Sequence, residues 1–255
     1  MSSQESAVLY SVDGAIAHVR LNRPEKRNAL NDELISGIKD ALNRSRADHS
    51  IRVVLLSGEG KDFCSGADLS ALQKIAAASV SENAKDARSL MELFLLMREL
   101  PVPVVAAVRG RALAGGCGLA SACDLVLAAA SARFGYPEVK IGFVPAMVLA
   151  ILRRNVSEKL AFELLTRGEE INAARALELG LVNQVFEEER FDTEVANYVK
   201  RFEALSKSAI ALTKMLLYQI DGSSFVEALE AGADVNVIAR LTEDCQRGVA
   251  KFLKK

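Results

Sequence analysis

Two glycine-bearing loops and one glutamate carry the residue types from which chemistry could be built. The loops are residues 58–69, GEGKDFCSGADL, and residues 110–119, GRALAGGCGL. Glycine adopts dihedrals closed to other residues and lets a ligand approach the main chain, so each loop could free backbone N–H groups from a sheet ladder. Two such groups facing one another hold an oxyanion, and in a dry site a donor of this kind contributes about 3–4 kcal/mol to a transition state with charge on oxygen. Helix starts at Ala67 and at Gly115-Gly116 would add positive dipole ends. Glu138 follows Pro137 among Phe134, Tyr136, Val139, Ile141 and Phe143. Apolar surroundings disfavour the carboxylate, raise its pKa and suit it to proton transfer near neutral pH. A plainer reading exists for each. The loops could be turns joining strands to helices, and Glu138 could be a surface carboxylate capping a turn, since exposed glutamate is the norm.

Other chemistries find less support. Neither loop reads G-x-x-x-x-G-K-[ST] or G-x-G-x-x-G with a downstream acid, so phosphate or dinucleotide cradling fits poorly. His18 and His49 have no second ligand at a recognisable spacing, which leaves no metal site and little basis for a histidine relay. Cys64, Cys117, Cys123 and Cys245 are scattered and read as reduced and mostly buried. Lysine plus arginine, 32, nearly cancels aspartate plus glutamate, 33, for a formal charge of −1. No whole-chain field therefore draws nucleic acid or an anionic membrane. The polar start carries no leader pattern, and no apolar run reaches the roughly 18–20 residues of a membrane span. A cytoplasmic location is expected.

Alternating strands and helices must position these groups. Residues 8–21 read as a hairpin about Asp13-Gly14. Asn31 is the N-cap expected for a helix carrying Leu34, Ile35, Ile38, Ala41 and Leu42 at helical spacing and ending near His49. Residues 51–56 and 102–108 are short β-branched runs typical of strands covered on both faces; 125–130 and 181–186 are weaker examples. Such alternation predicts right-handed crossovers building parallel sheets. From Phe191 onward only helical periodicity is present. The chain thus divides into an α/β core, residues 1–190, with the site, and a helical region, residues 191–255, whose apolar stripes need a surface from the core or from a second subunit. Asp124 is expected to hold loop backbone, and Asp68 to stand at a helix start and satisfy amides there.

LNRPEKRNAL at residues 21–30, FCSGADL at 63–69, PVVAAVRGRALAGGCGLASACDL ending at Leu125, FGYPEVKIG at 134–142, LTRGEEINAARALELGLVNQVF at 165–186 and the final EDCQRGVAKFLKK occur in one order along the chain. In that order and spacing the sequence resembles the enoyl-CoA hydratase/isomerase, or crotonase, family. The resemblance implies a spiral of repeated ββα units, homotrimers or dimers of trimers formed through the C-terminal helices, fatty acid metabolism, and an acyl-CoA thioester as substrate, with coenzyme A part of that substrate and no separate cofactor. Carried over by motif, the oxyanion donors are the N–H groups of Ala67 and Gly115, and Glu138 is the catalytic carboxylate. Ser65, Gly66, Asp68 and Leu69 would meet the ligand's adenine and pantetheine, with Gly116 and Gly118 beside the acyl group. Arg23, Lys26 and Arg27 would lie near its phosphates, or form a solvated basic turn.

The sequence departs from that pattern twice. Water-adding members carry two glutamates, one in GGxxE and one in the PE pair; here Gly118 fills the first position and Glu138 the second. Hydration divides proton transfers between two carboxylates, whereas one carboxylate suffices to move a double bond from Δ3 to Δ2, removing a proton at the α carbon and returning it at the γ carbon. Isomerisation is therefore the expected activity. Hydration remains the alternative if Glu82, Asp86 or Glu92 enters the pocket, as do another enolate-type thioester reaction and a non-catalytic acyl-CoA or RNA binding role. The second departure is VPAMVLAIL at residues 144–152, where many relatives have a glycine-rich PGxGG segment. Its larger side chains could line the acyl pocket or be plain core.

Overall fold

A computed structural model of the chain describes residues 6–68, 73–75 and 77–254. Its main sheet has six strands: β1 (Val8–Asp13), β2 (Ile16–Leu21), β3 (Val53–Gly58), β4 (Val104–Val108), β6 (Leu125–Ala129) and β9 (Gln184–Phe186), hydrogen-bonded in that order. β1 and β2 form the expected antiparallel hairpin, and the remaining pairings are parallel. Successive strand residues face opposite sides, and both sides are covered. Val54, Leu56, Val104, Ala106, Val108, Val126 and Ala128 enter one core with the Asp32–Ala47 and Val80–Glu99 helices. Val53, Leu55, Val105, Ala107, Leu127 and Ala129 enter another, closed by Phe191, Val195 and Val199 of the Phe191–Lys200 helix. Uninterrupted apolar runs are the signature of such doubly covered strands.

Three expected strands are shifted or shortened, the 102–108 run forming a strand only over Val104–Val108. Ile51 donates its N–H to Asp48 O in a turn, so the ladder begins two residues later at Val53, opposite Ile16. Leu181 and Val182 are buried but bond to Ala176 O, leaving only Gln184–Phe186 to pair.

A second, smaller sheet joins β5 (Arg111–Leu113), β7 (Arg133–Gly135) and β8 (Glu170–Asn172). The chain passes from β4 to β5, and again from β6 to β7, stepping each time from the large sheet to the small one. Gly110 makes the first step with φ +61°, where a Cβ would stand 2.0 Å from Lys61 O. Isolated parallel bridges, Cys64 to Ala112 and Leu30 to Ala67, add the loop after β3 to the same layer. Each turn of the spiral is thus a long buried strand followed by a short one that carries the loop.

The helical C-terminal region divides its contacts. Its first helix packs on the chain's own sheet. The Lys207–Gln219 helix is anchored by Lys214, which is buried and donates to Asp124 Oδ2 (2.7 Å), Met97 O (2.8 Å) and Val102 O (3.0 Å). The Phe225–Leu241 and Glu243–Phe252 helices bury no residue, and Phe225, Val226, Leu229, Val237, Ile238, Leu241, Val249 and Phe252 stand exposed. No helix among the described residues is long and apolar enough to cross a membrane.

Candidate active site

The two glycine loops are brought together by backbone pairing. Leu113 donates to Cys64 O (2.9 Å) and Cys64 to Arg111 O (3.1 Å). Beyond that bridge Gly66, at φ +93°, lies so close to the second loop that a Cβ would be 2.7 Å from Ala114 Cβ. Ala67 and Gly115 are the residues that follow directly on either side of this contact.

Ala67 does not begin a helix, as the sequence reading expects. Leu30 donates to Gly66 O (2.6 Å) and accepts from Asp68 N (3.0 Å). In a parallel bridge those bonds use the groups on either side of Ala67 and turn its own N–H to the opposite side. Gly115 is the first residue of the Gly115–Ser121 helix, where an N–H has no intrahelical acceptor. Neither N–H has a hydrogen-bond acceptor among the described residues. Both residues retain access to solvent.

Ala114 enters the helix at φ 51° and ψ −128°, although it carries a Cβ. Such a backbone costs of the order of 1–3 kcal/mol and persists only where its surroundings enforce it. The bonds that do so are Ala114 N to Gly135 O (2.8 Å) and Gly118 N to Ala114 O (3.0 Å). The first also fixes Glu138, three residues after Gly135 on the Pro137–Ile141 turn of 3-10 helix. Glu138 is 9% exposed. Its Oε2 is buried with no hydrogen-bond partner among the described residues, and desolvation raises its pKa.

Two nearby buried groups resist ionisation. Burial pushes the Cys117 thiol up to about 12 and Tyr136 well above the usual phenol range. Ser121 Oγ donates to Cys117 O (2.7 Å); its one proton thus spent, it accepts from Tyr136 OH at 3.0 Å. Of the apolar neighbours named from the sequence, Phe134 and Tyr136 are buried, whereas Val139, Ile141 and Phe143 are exposed.

The other expected residues separate by role. Asp68 forms an ion pair with Arg23 (2.7 Å), and Arg23 also donates to Ala29 O (2.6 Å). Asp68 thus holds the Arg23 turn; residues 69–72, whose amides it was expected to satisfy, lie outside the described residues. Ser65 donates its N–H to Arg27 O (3.0 Å). The Lys26 and Arg27 side chains are exposed beside it. Leu69 lies outside the described residues. Gly116 and Gly118 are buried on the Gly115–Ser121 helix.

Of the alternative carboxylates, Glu82 is held in a capping box by Ser79, Glu92 pairs with Lys39 at 2.9 Å, and Asp86 lies near Asp32, with burial the larger cause of its raised pKa. Asp124 accepts from Val104 N at 2.7 Å, as expected of a backbone holder. Among the described residues no cluster of three or more potential metal ligands occurs.

One support was missed in the sequence. Asn28, fully buried at φ 53°, accepts from Arg23 N (2.8 Å) and donates to Glu59 O (2.9 Å) and Asp62 O (2.8 Å), tying the Arg23 turn to the first loop. An asparagine beside a basic turn is compatible with αL geometry but gives no sign of its distant partners. Gly116, which the sequence reading names, also supports the junction through packing: a Cβ there would lie 2.2 Å from Cys64 O. Because that obstacle is backbone, Gly116→Ala is expected to destabilise by about 3 kcal/mol, the upper part of the overpacking range, read as a lower midpoint in denaturant melts.

A cavity of about 760 Å³, lined by Phe94, Ser121, Met147, Ile151 and Tyr218 among others, opens at the far end of the same helix and includes none of Ala67, Gly115 and Glu138. The candidate centre is marked instead by two N–H groups without acceptors among the described residues and by a desolvated carboxylate.

The spiral of paired strands and the junction of its loops define an α/β scaffold with a candidate site at that junction. The family model for enoyl-CoA hydratase/isomerase matches residues 11–255, and the chain belongs to that family. A Thermus thermophilus relative named "Putative enoyl-CoA hydratase" is 40% identical over 242 residues, covering 95% of this chain and 96% of that protein. The crotonyl-CoA hydratase of Syntrophomonas wolfei is 32% identical, with 97% and 95% covered. The crystal structure of an enoyl-CoA hydratase from Mycobacterium smegmatis superposes with a TM-score of 0.94 at 32% identity, covering 98% and 97%. The fold is that of the crotonase enzymes, and the chain is an acyl-CoA enzyme of this family.

Proposed function

We propose that the protein is a Δ3,Δ2-enoyl-CoA isomerase that works with a single carboxylate. The observation that carries this reading is Glu138, desolvated beside the loop junction, together with glycine at the position where a second carboxylate would stand. The N–H groups of Ala67 and Gly115 receive the thioester oxygen. Glu138 takes a proton from the α carbon, the dienolate charge rests on that oxygen, and Glu138 returns the proton at the γ carbon. Ser65, Gly66, Asp68 and Leu69 border the nucleotide and pantetheine, Lys26 and Arg27 lie toward the phosphates, and Gly116 and Gly118 lie beside the acyl group. Coenzyme A enters as part of the substrate, without a further cofactor. The exposed apolar side chains of the last two helices supply a surface for a homotrimer or a dimer of trimers.

Hydration of 2-enoyl-CoA is the second reading, favoured by the hydratase names of the relatives above. The two separate when 3-enoyl-CoA and 2-enoyl-CoA of several chain lengths are offered in parallel: isomerisation raises the absorbance of the conjugated thioester, and hydration lowers it. Conversion of the 3-enoyl substrate is expected. Rapid hydration without it would refute the isomerase.

The rate should also fall on the acid side. Glu138 must be unprotonated to act, and burial holds its pKa above the ordinary glutamate range, so kcat/KM is expected to drop through one ionisation higher than about 4.3. Activity undiminished down to that value would contradict a desolvated base.

A further inference from the structure

We propose that Val148 determines which reaction the site can perform, by occupying the space that a side chain at position 118 would need. The inference rests on the single-carboxylate reading and explains what maintains it. Gly118 lies in the interior of the Gly115–Ser121 helix, buried, and a Cβ built there would be 2.5 Å from Val148 Cγ2. The next nearest atoms, at 3.6 Å, are Val148 Cβ and Cγ1. One methyl group is thus the obstacle at that distance. Val148 is itself 5% exposed, on the Ala146–Asn155 helix packed against the first. A β-branched side chain in a helix has one strongly preferred rotamer, so the methyl cannot easily swing aside. The two departures noted in the sequence, glycine at 118 and bulky residues after Pro145, are one packing unit.

The chemical consequence concerns water. Hydration forms a bond from water oxygen to the β carbon while a base takes the water proton; the alkene electron pair moves to the α carbon, which receives a proton from an acid. Glu138 can supply the second proton but has no partner for the first at position 118. Val148 therefore excludes the second carboxylate and, with it, this arrangement for adding water.

Two linked measurements test this. In thermal melts, Gly118→Ala is expected to lower the midpoint by several degrees in the parent. In the Val148→Ala background the same change is expected to leave it unchanged or raise it, because alanine is the better helix former. An equal loss in both backgrounds would overturn the packing claim. In assays with 2-enoyl-CoA, Gly118→Glu alone is expected to add no hydration, and Gly118→Glu with Val148→Ala at least tenfold over the parent. A folded double variant that hydrates no faster overturns the role in reaction choice. Rapid hydration by the parent itself would instead defeat the single-carboxylate reading, while the melts still judge the packing.

Discussion

Glu138→Gln is expected to lower kcat for double-bond migration about 10³-fold, within the range for a positioned general acid–base, while leaving the fold intact. The side chains are nearly the same size, so packing in the Pro137–Ile141 turn is preserved. Only the capacity to accept and return a proton is lost. The effect on stability has a sign that distinguishes this from local damage. A glutamate whose pKa is raised by burial binds its proton more tightly in the folded state. Its stabilising contribution is present below the unfolded pKa and is lost as pH rises through the folded one. At neutral pH the native carboxylate is therefore a burden, and the neutral amide removes it. The variant should melt at the parent's temperature or higher, its advantage disappearing in acid. A large fall in melting temperature would mean that Glu138 supports the structure instead.

The second large effect lies far from the proposed chemistry. Lys214→Met is expected to destabilise the protein by about 3–5 kcal/mol, the cost of removing one member of a buried ion pair. The ammonium group spends its three protons on Asp124, Met97 O and Val102 O, and its side chain is 7% exposed. Burial lowers its pKa while Asp124 opposes the shift. Methionine fills a similar volume but leaves both carbonyls without that donor. Asp124 would keep Val104 N and Tyr218 OH (2.7 Å) and lose its counter-charge. Denaturant melts measure the loss, and hydrogen exchange should localise it to the Lys207–Gln219 helix and the start of β4.

These residues show what a sequence can and cannot reveal. β3 and β4 were legible because strands buried on both faces need unbroken apolar runs, and Val53–Leu56 and Val104–Val108 have little else. The loops were legible because glycine concentrates where main chain meets main chain. β5, β7 and β8 were not, since three residues carry too little periodicity to separate from a loop. Ala67 was misread as a helix start because its bridge to Leu30 joins residues far apart in the chain. Lys214 gave no signal at all: a lysine in an amphipathic helix ordinarily faces water, and its burial depends on carbonyls more than a hundred residues away. Likewise, the glycine at 118 was visible as a missing carboxylate, but the methyl of Val148 that fills its place appears only when the two helices are packed.

The central claim, one carboxylate serving both carbons, is tested most directly by following a label. A 3-enoyl-CoA deuterated at the α carbon would be converted in ordinary water and the 2-enoyl product analysed for deuterium at the γ carbon. Glu138 Oε2 is shielded from solvent, so a deuteron taken from the α carbon should be delivered in part to the γ carbon before it exchanges. Deuterium at that position, absent when Glu138 is replaced by glutamine, is the predicted result; a γ carbon carrying only hydrogen from solvent would contradict it.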